Sequence, residues 1–287
     1  MVRGSKRILV TGAGGFAGRH IAEYLHAKGY DIVGTVYRHV PNVSFPTISC
    51  DLSQPIELNQ EFDVIVHAAG SLPYRTPDFM EYKRNNIDTT QNLLNFALRK
   101  NISRVVFLST IGIYGEFCDT IIDENSDRIN PDAYGLTKYI AECMLRSVPE
   151  IKSISLRMPG IIGPGCKGVW LSNVIEKFQR NEEVTIYSPE FTTRNFVWVE
   201  DLARFVDRLI LMDYWKYDVL LLSSDETISI RKIVNAAREM YASSSEIIVR
   251  KTDKQPFCLS NARAKEMEYE GISPIKMIEI MSKKVIV

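Results

Sequence analysis

The chain has 287 residues, 45% apolar and 24% charged, and its 35 Lys plus Arg balance 35 Asp plus Glu, so nothing pulls it toward nucleic acid or an anionic membrane. No apolar run approaches the roughly 20 residues that span a bilayer, and MVRGSKRILVTG passes from a short polar lead into a strand pattern rather than a leader peptide, so a cytoplasmic protein is expected. Five scattered cysteines without a CxxC pair and four histidines without HExxH exclude a disulfide framework and a zinc site, leaving a metal-free chain of a reducing compartment.

The first element is RILVT (7–11), a strand pattern that runs into TGAGGFAG (11–18) and a helical pattern over 20–29 closed by Gly29. Strand, glycine turn and helix in that order receive a dinucleotide. Gly12 permits the tight turn, Gly15 lets backbone approach a pyrophosphate, and Gly18 lets the helix pack on the sheet. The main-chain N–H groups around Phe16 and Ala17 then face the phosphates. The second strand, DIVGTV (31–36), runs into GTVYRH (34–39). NAD-binding versions of this fold place an Asp or Glu near there for the ribose hydroxyls. Here there is no acid; Arg38, with His39 nearby, suits the 2′-phosphate of NADP, so NADP(H) is favoured over NAD(H). The alternative is that Arg38 stacks on adenine or points to solvent and NAD binds.

TISC (47–50), DVIVHA (63–68), RVVFLST (104–110) and SISLRM (153–158) continue the strands, and helical spacing fills 88–100 and 133–147. Near-continuous apolar strands alternating with helices imply an α/β fold, a Rossmann-like doubly wound parallel sheet. The second half is less regular. Glycines 160, 163, 165 and 168 with Pro164 mark a loop, followed by a helical pattern over 169–180, a strand at 184–187, the segment 195–210, a strand at 219–224 and a helix over 229–241. The expected organisation is a dinucleotide-binding domain over 1–157 and a mainly substrate-binding lobe over 158–287. Segments near 191–224 are expected to return to the first domain.

Tyr134 and Lys138 stand four residues apart, so their side chains share one helix face, and a cation beside a phenol lowers its pKa toward a useful acid–base value. Tyr24 and Lys28 have the same spacing, but in the helix after the glycine loop, where packing is the expected role. In FLSTIGIYG (107–115) a buried strand ends on Ser109 and Thr110. Such hydroxyls can simply satisfy strand-end backbone; beside Tyr134, one can be the second donor that alcohol or ketone chemistry requires.

TGxxGxxG, HAAG (67–70), Asn86 in NNIDTTQNLL, the ST–IYG stretch and Tyr134-x-x-x-Lys138 together resemble the extended short-chain dehydrogenases, the NAD(P)-dependent nucleotide-sugar epimerase/dehydratase family. The likeness continues through LRMPGIIGPG (156–165), the Asn173 helix and RNFVWVEDLA (194–203), covering about residues 7 to 210 in order. It implies that Thr110 is the catalytic Ser/Thr, Tyr134 the general acid/base, and Lys138 the residue that holds the nicotinamide ribose and tunes Tyr134. It further implies that Asp51 and Leu52 contact adenine, and that Ala68, Ala69, Gly70 and Ser109 line the cofactor. Pro159 would sit near the nicotinamide, Asn86 would hold active-site backbone, and Asn173 and Arg194 would bind substrate, Arg194 at its diphosphate.

The departures narrow the chemistry. Ile111 and Gly112 follow Thr110 where the 4,6-dehydratases carry Asp-Glu, which disfavours dehydration. Gly112 also replaces the Cys of GDP-fucose-synthase-like enzymes, and Gly160 replaces the Asn of many 4-epimerases. The main expectation is a ketoreductase that takes hydride from NADPH onto a 4-keto sugar nucleotide. The alternative is a 4-epimerase with tightly held NAD. A non-catalytic dinucleotide-sensing protein and a reductase of non-nucleotide carbonyls rank lower, given the intact Thr110, Tyr134 and Lys138 and the context of Arg194. The resemblance also implies a homodimer built on the helices at 88–100 and 133–147, with Tyr139, Ile140, Met144 and Leu145 available to pack.

Overall fold

The computed structural model of the protein describes residues 6–37, 42–73 and 78–283. The chain forms two compact units. The first comprises Met1–Glu116, Asp127–Arg157 and Leu202–Leu220; the second comprises Phe117–Ser126, Met158–Asp201 and Leu221–Val287.

The first unit is built on five strands that follow one another in sequence: β1 (Arg7–Thr11), β2 (Asp31–Val36), β3 (Thr47–Ser49), β4 (Val64–His67) and β5 (Arg104–Thr110). Two later strands, Lys152–Met158 and Val219–Leu221, complete a seven-stranded sheet in the order Val219–Leu221, Lys152–Met158, β5, β4, β1, β2, β3. The pairs β2–β3, β1–β2, β1–β4 and β4–β5 are all parallel. Ile8, Leu9 and Val10 have no exposed surface, as expected of a strand covered on both faces. The strand order reverses between β1 and β4, and the crevice at such a reversal is where this architecture takes its ligand.

One face of the sheet is sealed by a core in which Leu9, Ile65, Val105 and Phe107 meet Leu93, Phe96, Ala141 and Leu145 from two helices, Thr89–Arg99 and Ala133–Arg146. The second helix starts where the Asp132 carboxylate accepts from the Gly135 N–H at 2.7 Å, an N-cap that fixes its first turn. Helix α1 (Phe16–Ala27) ends as expected, with Gly29 at φ +89° just beyond its C-cap. The helix expected from residue 88 is preceded by a π-helical stretch, Lys83–Asp88, that the 3.6-residue spacing did not reveal.

The second unit holds helices Trp170–Gln179, Ile230–Met240 and Pro274–Lys283. Its short parallel pairs join Gly160–Ile162 to Phe196–Trp198 and Val184–Tyr187 to Ile247–Arg250. The expected loop at 160 is therefore a strand. A side chain at Gly160 would lie 2.3 Å from Val169 Cγ1, so this glycine serves close packing rather than a turn. No helix among the described residues is long and apolar enough to cross a membrane.

Candidate active site

The first unit carries the glycine turn. Gly12 sits at φ +68°, and a Cβ there would lie 2.8 Å from Ala69 Cα; one at Gly18 would lie 2.4 Å from the Gly12 carbonyl oxygen. Both positions are closed to any other residue. The Gly15 N–H donates to the Gly12 carbonyl at 2.9 Å, and Gly15 caps α1 without a side chain. Phe16 and Ala17 open the helix, whose first turn holds no acidic residue. A side-chain-free helix start without negative charge fits a diphosphate, so the residues present match a dinucleotide.

Beneath this turn runs a buried chain of hydrogen bonds that the sequence did not disclose. Thr11 Oγ1 accepts from the Ala69 N–H at 3.2 Å and meets His67 Nδ1 at 2.8 Å. His67 Nε2 meets Thr90 Oγ1 at 3.1 Å, and the Thr90 hydroxyl gives its proton to the Asn86 carbonyl at 2.6 Å. Thr90 must therefore accept from His67 Nε2–H, which leaves Nδ1 as the acceptor of the Thr11 hydroxyl. Burial, with Lys138 adding to it, pushes the His67 pKa down to about 3 and keeps the ring neutral. From Asn86 the chain continues: Oδ1 accepts from the Ser71 N–H at 3.0 Å, and Nδ2 donates to Thr137 Oγ1 at 2.9 Å. Thr137 in turn donates to the first-turn carbonyls of Ala133 and Tyr134, at 2.9 and 3.0 Å. Ala68, Ala69 and Gly70 follow β4 directly, and a Cβ at Gly70 would press on Asn86 Oδ1 at 2.7 Å.

At the far edge, Asp51 Oδ1 accepts from the Ser53 N–H at 3.0 Å and the Ser53 hydroxyl at 2.7 Å, while Oδ2 takes Arg84 Nη2 at 2.9 Å. Burial opposes ionisation, but these bonds prevail and hold the Asp51 carboxyl below its ordinary range. Among the described residues three of its four lone pairs are used, which leaves one able to accept a further hydrogen bond. Leu52 beside it is buried. Arg84, which no motif singled out, thus neutralises the acid at this edge. Arg38 and His39 lie outside the described residues; β2 ends on Val36, followed by the half-exposed Tyr37.

Thr110 closes β5, and its Oγ1 accepts from the Gly112 N–H at 3.0 Å, capping the 3₁₀ turn Ile111–Tyr114. It serves the local backbone as a strand-end hydroxyl can, and among the described residues its proton has no acceptor. A methyl built on Gly112 would touch Thr110 Oγ1 at 3.4 Å and Tyr134 Cδ1 at 3.6 Å, so the two side chains converge there. They can do so because Gly135 has no side chain: a Cβ on it would lie 2.1 Å from the Gly112 carbonyl oxygen. One turn on, Lys138 is buried with Nζ 4.0 Å above the Phe107 ring centre. Burial drives the Lys138 pKa down to about 7, against the upward pull of Glu142. The Ser109 hydroxyl donates to Glu142 at 2.5 Å, so only the Ser109 main chain is left to meet a ligand. Tyr24 and Lys28 form a cation–π contact of 5.2 Å on α1.

The second unit holds Pro159, half-buried, Asn173, exposed on its helix, and Arg194, half-buried. Arg194 Nε donates to the Leu259 carbonyl at 2.7 Å, and its own carbonyl accepts from the Ser224 N–H and hydroxyl. Asn195, absent from the sequence argument, clamps the same strand: Nδ2 donates to the Phe257 carbonyl at 2.8 Å and Oδ1 accepts the Leu259 N–H at 2.9 Å. The Nε bond anchors the Arg194 guanidinium on the Leu259 main chain. Among the described residues its two terminal nitrogens have no protein partner, which suits an anion.

The model of the NAD dependent epimerase/dehydratase family matches residues 8–216. The chain is 27% identical to a UDP-N-acetyl-alpha-D-glucosaminuronate decarboxylase of Bacillus cytotoxicus, covering 85% of this chain and 83% of the relative. It is 26% identical to a dTDP-4-dehydro-6-deoxy-D-allose reductase of a Streptomyces species, covering 79% of each. Identity is also 26% to a UDP-glucose 4-epimerase of Caenorhabditis elegans, over 81% and 82%. The fold matches that of the UDP-glucuronic acid 4-epimerase from Bacillus cereus in complex with NAD, with a TM-score of 0.80 at 23% identity over 95% and 94% of the two chains. With its glycine turn, its Thr110–Tyr134–Lys138 set and a family match across most of its length, the chain belongs to the NAD dependent epimerase/dehydratase family.

Proposed function

We propose that the protein performs NAD(P)-dependent redox chemistry at carbon 4 of a nucleotide-diphosphate sugar. The observation that carries this reading is the convergence of Thr110 and Tyr134 at Gly112, with Lys138 one helical turn away and beside Gly70. A dinucleotide held by the glycine turn would supply or accept the hydride. Tyr134 gives its phenolic proton to the sugar oxygen, or takes it in the reverse direction, and the Thr110 hydroxyl donates to the same oxygen. Lys138, with a pKa near neutrality, favours the phenolate and can hold the nicotinamide ribose. Asn86 fixes the start of the helix that carries Tyr134 and Lys138. Asp51, Leu52, Ala68 and Ala69 hold the dinucleotide, and Arg194 and Asn173 the substrate.

The net reaction we favour is reduction of a 4-keto sugar nucleotide with NADPH. Gly160 has no room for the side chain that many 4-epimerases carry there, and β2 runs out on Val36 and Tyr37 without an acid to repel a 2′-phosphate. The names of relatives favour a second reading, 4-epimerisation with tightly bound NAD, since one is a UDP-glucose 4-epimerase and a neighbouring structure holds NAD. Mass spectrometry of the nucleotide that co-purifies, followed by assay on a 4-keto sugar nucleotide, separates them. NADPH-dependent turnover supports the reductase; retained NAD with interconversion of UDP-sugars and no net consumption of reductant overturns it.

We also infer a homodimer through helices Thr89–Arg99 and Ala133–Arg146. Tyr139, Ile140 and Met144 are half-buried and can serve it, whereas Leu145 is sealed in its own core and cannot. A monomer in light scattering at micromolar concentration would contradict this.

A further inference from the structure

Tyr134, Lys138 and Glu142 follow one another at intervals of four, one stripe on one helix. Glu142 has no exposed side-chain surface, and its partner Arg157 has 1%. Glu142 Oε1 accepts from Arg157 Nε at 3.0 Å and from the Ser109 hydroxyl at 2.5 Å; Oε2 accepts from Arg157 Nη2 at 2.7 Å. Arg146 Nη1 approaches Oε2 at 3.4 Å from the same helix. Arg157 Nη1 donates to the Tyr114 hydroxyl at 2.9 Å.

Stability does not require such a pair, because apolar side chains of similar volume commonly fill a core as well. What the pair does that apolar packing cannot is bind three segments in fixed register. Ser109 precedes Thr110, Tyr114 ends the turn that Thr110 caps, and Glu142 lies two turns below Tyr134 on the same stripe. We propose that the buried Glu142–Arg157 pair is the positioning element of the reacting centre, holding the Tyr134–Lys138 helix against the Thr110 strand end and fixing the charge beneath Lys138. This rests on the roles given above to Thr110, Tyr134 and Lys138.

Ser109→Ala and Tyr114→Phe each remove one hydroxyl and leave the ion pair whole, so both variants are expected to fold. Turnover should fall roughly tenfold in each through misplacement of the reacting groups. KM should stay within about threefold, because no substrate contact is touched. NADPH affinity, read by quenching of tryptophan fluorescence, should be unchanged.

Glu142→Gln adds a readout that a merely structural pair would not move. Among the described residues, the groups that act on the Lys138 ammonium are Glu142 on its own helix, His67 from β4 and the Phe107 ring from β5; Arg157 and Arg146 face Glu142. Without the Glu142 anion the ammonium loses support, so its titration midpoint should drop by at least about half a pH unit. Lysine labelled with ¹³C at Cε reports this in the dinucleotide-free protein, with the Lys138 signal identified by its absence from Lys138→Arg.

Wild-type turnover in both hydroxyl variants, or an unmoved Lys138 midpoint in a folded Glu142→Gln protein, overturns the proposal. If Glu142→Gln does not fold, the two hydroxyl variants decide it alone. Tyr134→Phe, run beside them, tests the underlying reading separately, because wild-type turnover there removes the centre that the pair would position.

Discussion

Asn86 Nδ2 donates to Thr137 Oγ1 at 2.9 Å, and that one bond ties the π-helical turn to the helix bearing Tyr134 and Lys138. Asn86→Leu keeps the volume and leaves the Ser71 N–H and the Thr137 hydroxyl without this partner. The expected cost is about 1–3 kcal/mol of stability. Turnover should fall by at least about tenfold as the helix start shifts. Urea unfolding and steady-state kinetics check the two. Asn86→Asp keeps the acceptor for Ser71 and should lose less.

His67 should make the protein acid-sensitive in a defined window. Its pKa is about 3 when folded against an ordinary 6.5, so between these the unfolded chain binds the extra proton. Its contribution is therefore fully present above about pH 6.5 and is lost as pH falls toward 3, by at most about 5 kcal/mol. Stability measured from pH 7 to 4 should decline less steeply in His67→Gln than in the wild type. Equal slopes would show that His67 is not held neutral.

Lys138 should cost stability where it serves chemistry. Its pKa falls from 10.5 to about 7 on folding, so at pH 6 the folded protein holds a charge that its interior resists. Between pH 7 and 10.5 the unfolded state binds more protons, and the wild type gains stability as pH rises. Lys138→Met should therefore stabilise by a few kcal/mol at pH 6, with the advantage fading toward pH 10.5 while turnover is lost. Denaturant midpoints at the two pH values test this.

Gly135 and Gly112 should respond differently to one added methyl. At Gly135 a Cβ would meet the Gly112 carbonyl at 2.1 Å and push the helix off the turn, whereas at Gly112 its nearest contacts are ordinary. Gly135→Ala is expected to cost about 1–3 kcal/mol despite the better helix former. Gly112→Ala should be near neutral in stability. Thermal melts of the two variants compare them directly.

The fold was legible because its signals are local. Apolar strands, the glycine turn and the Tyr134–Lys138 spacing each lie within a few consecutive residues. The π-helical turn at Lys83–Asp88 was not, since one extra residue per turn leaves no mark in a 3.6-residue period. In the sequence His67 is only the first residue of HAAG, because its partners Thr11 and Thr90 come from other elements. Glu142 and Arg157 had a faint signal, a charge among apolar neighbours in AECML and SLRMP, but their pairing depends on two elements meeting in the core. Arg84 carries no sequence signal for the same reason: its meaning comes from Asp51, 33 residues away.

The most direct test of the account is Tyr134→Phe, assayed for turnover of a nucleotide-diphosphate sugar and for dinucleotide binding in the same preparation. The account predicts turnover lower by at least about a hundredfold, because the acid–base group is gone. Dinucleotide affinity should stay within about threefold, because the glycine turn is untouched. Wild-type turnover in this variant would contradict it.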